Sequence, residues 1–344
     1  MTLRLRAHRR LAHFRPFARA YATPDETEHH RIRTADGVEL RLRRLPPRPL
    51  PGAPVSRPEP VMLLHGLGSN PLGFLFPGRS FAAHLSARGH DVWLPELRGS
   101  GQSGVDGFEW TFGDYLSQDL PAILDHIRRH SGSRRVAWVG HSMGGILLLC
   151  WGIRHGGAEV SRGITLGSAL DYRPGQTRFS ALEPLEPILE RMMALPYGTV
   201  SHLAGPLWGR FEVLDRLNVW PPNIEPEHTR RLQSMAFHTI PISLLRSLAG
   251  ALREEGLRDE QGRFLDDAGR YPIETLMVAG SRDAQVSVEA VEDTARRVGA
   301  RLEVFGRGRG TVEEYGHWDL ILGRRAAQET WPVLTAFLEG EEAG

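Results

Sequence analysis

Apolar and polar positions along the chain follow three rhythms in turn. His30 to Thr34 and Glu39 to Arg44 are short runs on either side of Asp36-Gly37, a dipeptide suited to the positive dihedrals of a tight turn, and they predict an antiparallel opening hairpin. A proline- and arginine-rich stretch, Leu45 to Pro60, lacks ladder donors at its prolines and predicts a linker. Compact apolar runs then alternate with longer amphipathic ones. Strands are predicted at Val61 to Leu64, Asp91 to Leu94, Arg135 to Val139 and Gly163 to Leu166, with helices at Arg79 to Arg88, Phe112 to His130 and Gly144 to His155. Thr275 to Val278 and Leu302 to Phe305 continue the strands, and Trp331 to Leu338 predicts a closing helix. Continuous apolar strands separated by helices imply a mostly parallel sheet covered on both faces, an α/β architecture.

Between Asp171 and Tyr271 this rhythm stops. Short amphipathic stretches, such as Pro187 to Leu195 and Leu244 to Gly256, are broken by prolines and predict a mainly helical cap. The expected organisation is a basic tail over 1–22, a core over 23–170 and 272–344, and a cap inserted at 171–271. A length of 344 residues suits one core plus an insertion.

Composition changes the picture little. Hydrophobic residues at 41% and charged residues at 24% are ordinary for a compact globular protein. The net charge of +1 and the absence of a basic stripe with interleaved aromatics argue against nucleic acid and favour a small-molecule partner. All 42 basic residues are arginine, which reads as codon bias. The single Cys150, in an apolar run, predicts a buried, inert thiol and no need for an oxidising compartment, so a cytoplasmic location is expected. The tail carries six arginines without an acid. Leu3, Leu11, Phe14 and Phe17 share a rough helical face there, which suggests peripheral membrane contact as a second reading. No run approaches the ~20 apolar residues of a membrane span.

The chemistry concentrates at Gly140-His141-Ser142-Met143-Gly144. This segment follows the predicted strand ending at Val139 and opens the next helix, the context in which a serine sits on a sharp turn with its hydroxyl projecting. Glycines two residues either side let strand and helix approach without Cβ clashes. Ser142 is therefore the candidate nucleophile, with a helix N-terminus beside it to favour developing negative charge.

On these residues the chain resembles the α/β-hydrolase superfamily from Arg31 to Leu338, the cap excepted. His65-Gly66-Leu67-Gly68 looks like that family's oxyanion turn, and the resemblance implies that the backbone N–H groups of Leu67 and Met143 stabilise the oxyanion. His65 is then a loop support, and Leu97 to Ser103 a structural turn. His317, in Tyr315-Gly316-His317-Trp318-Asp319 after the last strand, stands in the histidine-loop position and is the expected base. The family's chain order of serine, acid, histidine points to Asp283 in Gly280-Ser281-Arg282-Asp283 as the orienting acid. Asp171 is the competing acid, and Asp319 is expected to fix the loop. His141 and His238 read as pocket or packing residues.

Serine at 142 implies acyl transfer, not the alkyl-enzyme of dehalogenases and epoxide hydrolases, which use aspartate; polymer synthases of the family use cysteine there. Gly99 to Gly104 spells G-x-G-x-x-G but opens no predicted helix, so no dinucleotide site is expected. No cysteine and histidine cluster shows metal-ligand spacing along the chain, so neither metal nor cofactor is expected. The resulting expectation is a serine esterase or lipase with Ser142, His317 and Asp283 as triad and a small-molecule ester, lipid-like in its acyl group, as substrate. Met192, Met193, Leu203, Trp208, Phe211, Trp220 and Phe237 are candidate acyl-pocket residues. Thioesterase, acyltransferase, carbon–carbon hydrolase and cofactor-free haloperoxidase chemistry use the same triad, and a non-catalytic binding protein could keep the same pocket.

Overall fold

The computed structural model describes residues 27–52, 59–104, 107–179, 187 and 191–341, so the basic tail and its expected membrane contact lie outside the described residues. The centre is an eight-stranded sheet. Its strands are β1 (Glu28–Arg33), β2 (Glu39–Leu45), β3 (Val61–Leu64), β4 (Val92–Glu96), β5 (Val136–His141), β6 (Val160–Leu166), β7 (Thr275–Gly280) and β8 (Arg301–Phe305). They lie in the order β1-β2-β4-β3-β5-β6-β7-β8. β1 and β2 form the expected hairpin around Gly37, whose φ of 91° needs glycine, and β2 runs antiparallel to β4. All remaining neighbours are parallel.

Alternate side chains of the parallel strands enter two separate cores. Met62 and Leu64 of β3 pack on one face with α2 (Leu120–Ser131), α3 (Met143–His155) and α7 (Val288–Val298). Val61 and Leu63 pack on the other with α1 (Phe81–Ala87) and α8 (Ala326–Glu339). Burial on both faces explains why these strands read as unbroken apolar runs. Cys150 is buried in α3, and burial pushes its thiol pKa up.

Two predicted helices differ. The segment from Phe112 begins with a short turn, Phe112–Asp114, passes through a π-turn at Tyr115–Asp119 and becomes regular only at Leu120, next to Pro121, which has no N–H to donate. α8 begins five residues before the predicted start at Trp331 and runs through Pro332, because the buried Trp331, Leu334 and Phe337 hold it to the core.

Between β6 and β7 lie α4 (Tyr197–Leu203), α5 (Pro226–Met235) and α6 (Ile242–Ala249), with two-residue strand pairs at Ala194–Leu195 with Ile240–Pro241 and at Arg258–Asp259 with Gly262–Arg263. Leu195, expected in a helical stretch, is thus extended, because it pairs with Ile240 across the insertion. The insertion is sewn to the core by backbone bonds: His238 N–H donates to Gly68 O (2.7 Å) and Trp318 N–H to Asn218 O (2.9 Å).

Candidate active site

Ser142 joins β5 to α3 with φ 54° and ψ −121°, and among the described residues it is the only non-glycine with positive φ. Such backbone costs roughly 1–3 kcal/mol and persists only when its surroundings over-determine it. They do so here through backbone bonds. Ser142 N–H donates to Leu166 O on β6 (2.8 Å), while its carbonyl accepts from Gly145 N–H (2.9 Å), Ile146 N–H (3.1 Å) and the Ser168 hydroxyl (2.8 Å). The flanking glycines are required by close approach. A Cβ on Gly140 would stand 2.3 Å from the Gly144 backbone, and one on Gly144 2.3 Å from Leu64 O. Ser142 itself is only partly buried and faces a cavity.

His317 and Asp283 meet at the same cavity. His317 Nδ1 lies 2.7 Å from Asp283 Oδ2, with side-chain exposures of 1% and 0%. The other Asp283 oxygen accepts from the backbone N–H groups of Gln285 (2.8 Å) and Val286 (3.0 Å), so the carboxylate is held from both sides. With Nδ1 donating to Asp283, the opposite nitrogen Nε2 carries the lone pair, and that atom is buried without a hydrogen-bond partner among the described residues. Gly167, with φ 59°, passes beneath: a Cβ there would lie 2.8 Å from His317 Nδ1 and 2.9 Å from Asp283 Oδ2. Asp171, the competing acid, is instead closed on Arg173, accepting from its Nε (2.9 Å) and Nη2 (2.6 Å).

Asp319 holds the histidine loop. It accepts from Gly316 N–H (2.7 Å), Trp220 N–H (3.0 Å) and Asn223 Nδ2 (3.1 Å), tying the loop to the insertion, and burial pushes its pKa up to about 6. His65 holds the loop that carries Leu67. Its Nδ1 donates to Gly66 O (2.9 Å) and its Nε2 accepts from Leu97 N–H (3.3 Å), while burial lowers its pKa to about 4, so the ring is neutral as this pattern needs. His141 packs between the His317 and Trp318 rings at 4.6 and 4.1 Å, its pKa held well down by burial and by His317. His238 accepts from Gly101 N–H (3.1 Å) and lies 2.9 Å from Asn70 Nδ2. In the G-x-G-x-x-G segment, Gly101 packs on the buried Glu96 carboxylate, itself paired with Arg43 at 2.8 Å. That turn is occupied by protein contacts.

The cavity holds about 330 Å³ and is lined on the core side by Leu67, Ser142, Met143, Ile146 and His317. Its outer wall comes from the insertion, chiefly Tyr197, Ile240, Ile242, Leu245, Leu248 and Leu252. Of the seven apolar residues expected there, only Phe237 takes part. Leu203 and Phe211 are 72% and 52% exposed, Trp208 donates to Ser201 O, and Trp220 lies under the Arg216 and Arg282 guanidiniums. Most of the lining missed in the insertion belongs to the dense branched run Ile240 to Leu252, whose 3–4-residue spacing was the available signal. Three unexpected amides brace the wall: Gln285 Nε2 donates to Asn218 Oδ1 (3.0 Å), and Asn218 Nδ2 to Gln233 Oε1 (3.1 Å) and Tyr197 OH (3.2 Å).

Residues 59–323 match the family described as alpha/beta hydrolase fold. The chain belongs to that family. Curated relatives include Lipase 3 of Drosophila melanogaster, 32% identical over 128 residues, and human gastric triacylglycerol lipase, 29% identical over 128 residues. Each alignment covers 34% of this chain and 32% of the relative, so the match spans about a third of the lipases' length. Among solved structures, an esterase of Exiguobacterium antarcticum superposes with TM-score 0.60 at 20% identity, covering 90% of this chain and 98% of the esterase. A membrane phospholipase A described as a bacterial virulence factor gives 0.60 at 18% identity, covering 100% and 93%. At these identities the likeness concerns the fold. No helix among the described residues of this alpha/beta hydrolase is long and apolar enough to cross a membrane.

Proposed function

We propose that this alpha/beta hydrolase is a carboxylic ester hydrolase in which Ser142 attacks the ester carbonyl, His317 is general base and acid, and Asp283 orients the imidazole. The observation that carries the reading is the buried Asp283–His317 bond at the wall of the cavity into which the strained Ser142 turn opens, with His317 Nε2 left unpartnered. In this mechanism Nε2 takes the Ser142 proton as Oγ bonds to the carbonyl carbon. The carbonyl electron pair moves onto oxygen, facing the backbone N–H groups of Leu67 and Met143. The imidazolium returns the proton to the departing alcohol, and water repeats the sequence on the acyl-enzyme to release the acid. Asp283 keeps the Nδ1–H tautomer and stabilises the imidazolium.

We further propose that residues 171–271 act as a cap whose branched side chains receive an apolar acyl group. The lipase relatives and the apolar outer wall support this reading. A series of p-nitrophenyl esters of increasing chain length, run beside an acyl-CoA panel and a fluorophosphonate probe, tests it. Ser142→Ala should remove both probe labelling and ester turnover while leaving thermal unfolding unchanged. Wild-type turnover in the variant, or faster cleavage of thioesters than of every ester, would overturn the assignment.

A further inference from the structure

A second group of chemically competent side chains lies far from the cavity. His30 of β1 and His126 and His130 of α2 bring ring nitrogens within 4.8 Å of one another. Strand directions put the cluster at the end of the sheet opposite Ser142: Glu28 pairs with Arg44, and Arg44 with Trp93, near the start of β4, whereas the elbow follows the end of β5. Nothing in the proposed ester chemistry uses it.

The cluster has a rigid floor. The Trp93 ring lies 4.9, 5.6 and 5.2 Å from the rings of His30, His126 and His130. Trp93 Nε1 donates to Asp91 Oδ2 (3.0 Å), and Arg44 lies over the same indole while pairing with Asp91 (2.7 Å) and Glu28 (2.9 Å). His126 and His130, four residues apart on a helix, project from one face. His126 Nε2 is 3.2 Å from His30 Nδ1, close to the ~3.3 Å between two nitrogens that each lie ~2.05 Å from a tetrahedral zinc ion. His130 is exposed at the C-terminal end of α2 and can close the remaining gap by side-chain rotation.

We propose that His30, His126 and His130 bind a divalent transition-metal ion of the zinc, nickel or copper class, clipping the opening hairpin to α2. Glu28 Oε2 lies 3.4 Å from His30 Nε2, which places a negative charge beside the cluster, while His30 Nδ1 faces His126 Nε2. The charged groups around the cluster are paired with one another, Glu28 with Arg44 and Asp125 with Arg129. Arg44 Nη1 makes a long contact of 3.4 Å with His130 Nε2, which an ion would displace while Arg44 keeps both carboxylates. Spacing along the chain hid the site, since His30 lies 96 residues from His126.

The test uses the full chain after EDTA treatment and dialysis. Isothermal titration with Zn²⁺ should show one ion bound per chain with a higher Tm, and Co²⁺ should give the visible absorption of a tetrahedral nitrogen site. His126→Gln and the exposed-site variant His130→Gln should each abolish the saturable binding. His155→Gln, a ring stacked on Trp151 away from the cluster, should bind as wild type does. Absence of stoichiometric binding to folded wild-type protein, or unchanged binding in His130→Gln, would overturn the proposal.

Discussion

The sheet core and the insertion build the cavity by different means. On the core side, position is dictated by backbone: Ser142 is held by bonds from β6 and α3, and glycines at 140, 144 and 167 exist because neighbouring atoms leave no room for a Cβ. The insertion rests on shorter elements instead: short helices, two-residue strand pairs, single backbone bonds at His238 and Asn218, and the Gln285–Asn218–Gln233 amide chain. It also leaves Leu203, Val213 and Phe211 exposed. The proposed reactive groups therefore stand on the part of the molecule that tolerates least displacement, and the pocket wall on the part that can vary with little effect on the sheet.

The comparison breaks most sharply at the acid. Asp283→Asn should lower ester turnover by up to ~10⁴-fold, because the amide favours the wrong imidazole tautomer. Asp171→Asn, whose carboxylate serves Arg173, should leave turnover close to wild type. Steady-state kinetics on both variants, each first shown to unfold at the wild-type Tm, decides the matter, and the reverse ranking would reassign the acid. A smaller loss is expected at Gly167→Ala. The added methyl would press on His317 Nδ1 and Asp283 Oδ2, and a displacement on the order of 1 Å can cost ~10²-fold. The loss should fall on kcat, with little change in KM.

Changes in the insertion should redistribute specificity without removing chemistry. Leu248→Trp narrows the outer wall, so kcat/KM for long acyl esters should fall by roughly 10-fold or more relative to short ones. Equal effects on all chain lengths would mean that the wall does not contact the acyl group. The smallest effect concerns stability alone. His65 has a folded pKa of about 4 against an ordinary 6.5, so the unfolded chain binds the extra proton between these values and stability falls as pH drops through that window. Asp119 and Asp319, both pushed up to about 6, act in the opposite sense, their stability being lost as pH rises. Thermal scans at pH 7 and pH 5 should therefore show a smaller acid destabilisation in His65→Gln than in wild type, a difference in which the aspartates cancel.

The core was legible because its signals are local. An apolar run of four to six residues buried on both faces has few alternatives to a central parallel strand, and a serine between glycines at a strand-to-helix junction announces a turn that few other contexts need. The acid required more. Asp171 and Asp283 both follow strands, and only the folded positions of β6, β7 and the histidine loop set one against His317 and the other against Arg173. The insertion was the least legible region, since hydrophobicity alone does not tell inward from outward. Phe211 and Phe237 read alike in sequence, yet one faces solvent and the other the cavity.

By itself, then, the sequence determined the sheet, the elbow and the chemical types at its ends, because these follow from periodicity and from the conformational freedom of glycine within a few residues. Tertiary structure decided which acid meets the histidine, which insertion residues line the cavity, and that three histidines from the first strand and a distant helix converge on Trp93. Those outcomes depend on contacts between segments tens to hundreds of residues apart, whose geometry is set by the packing of the whole chain.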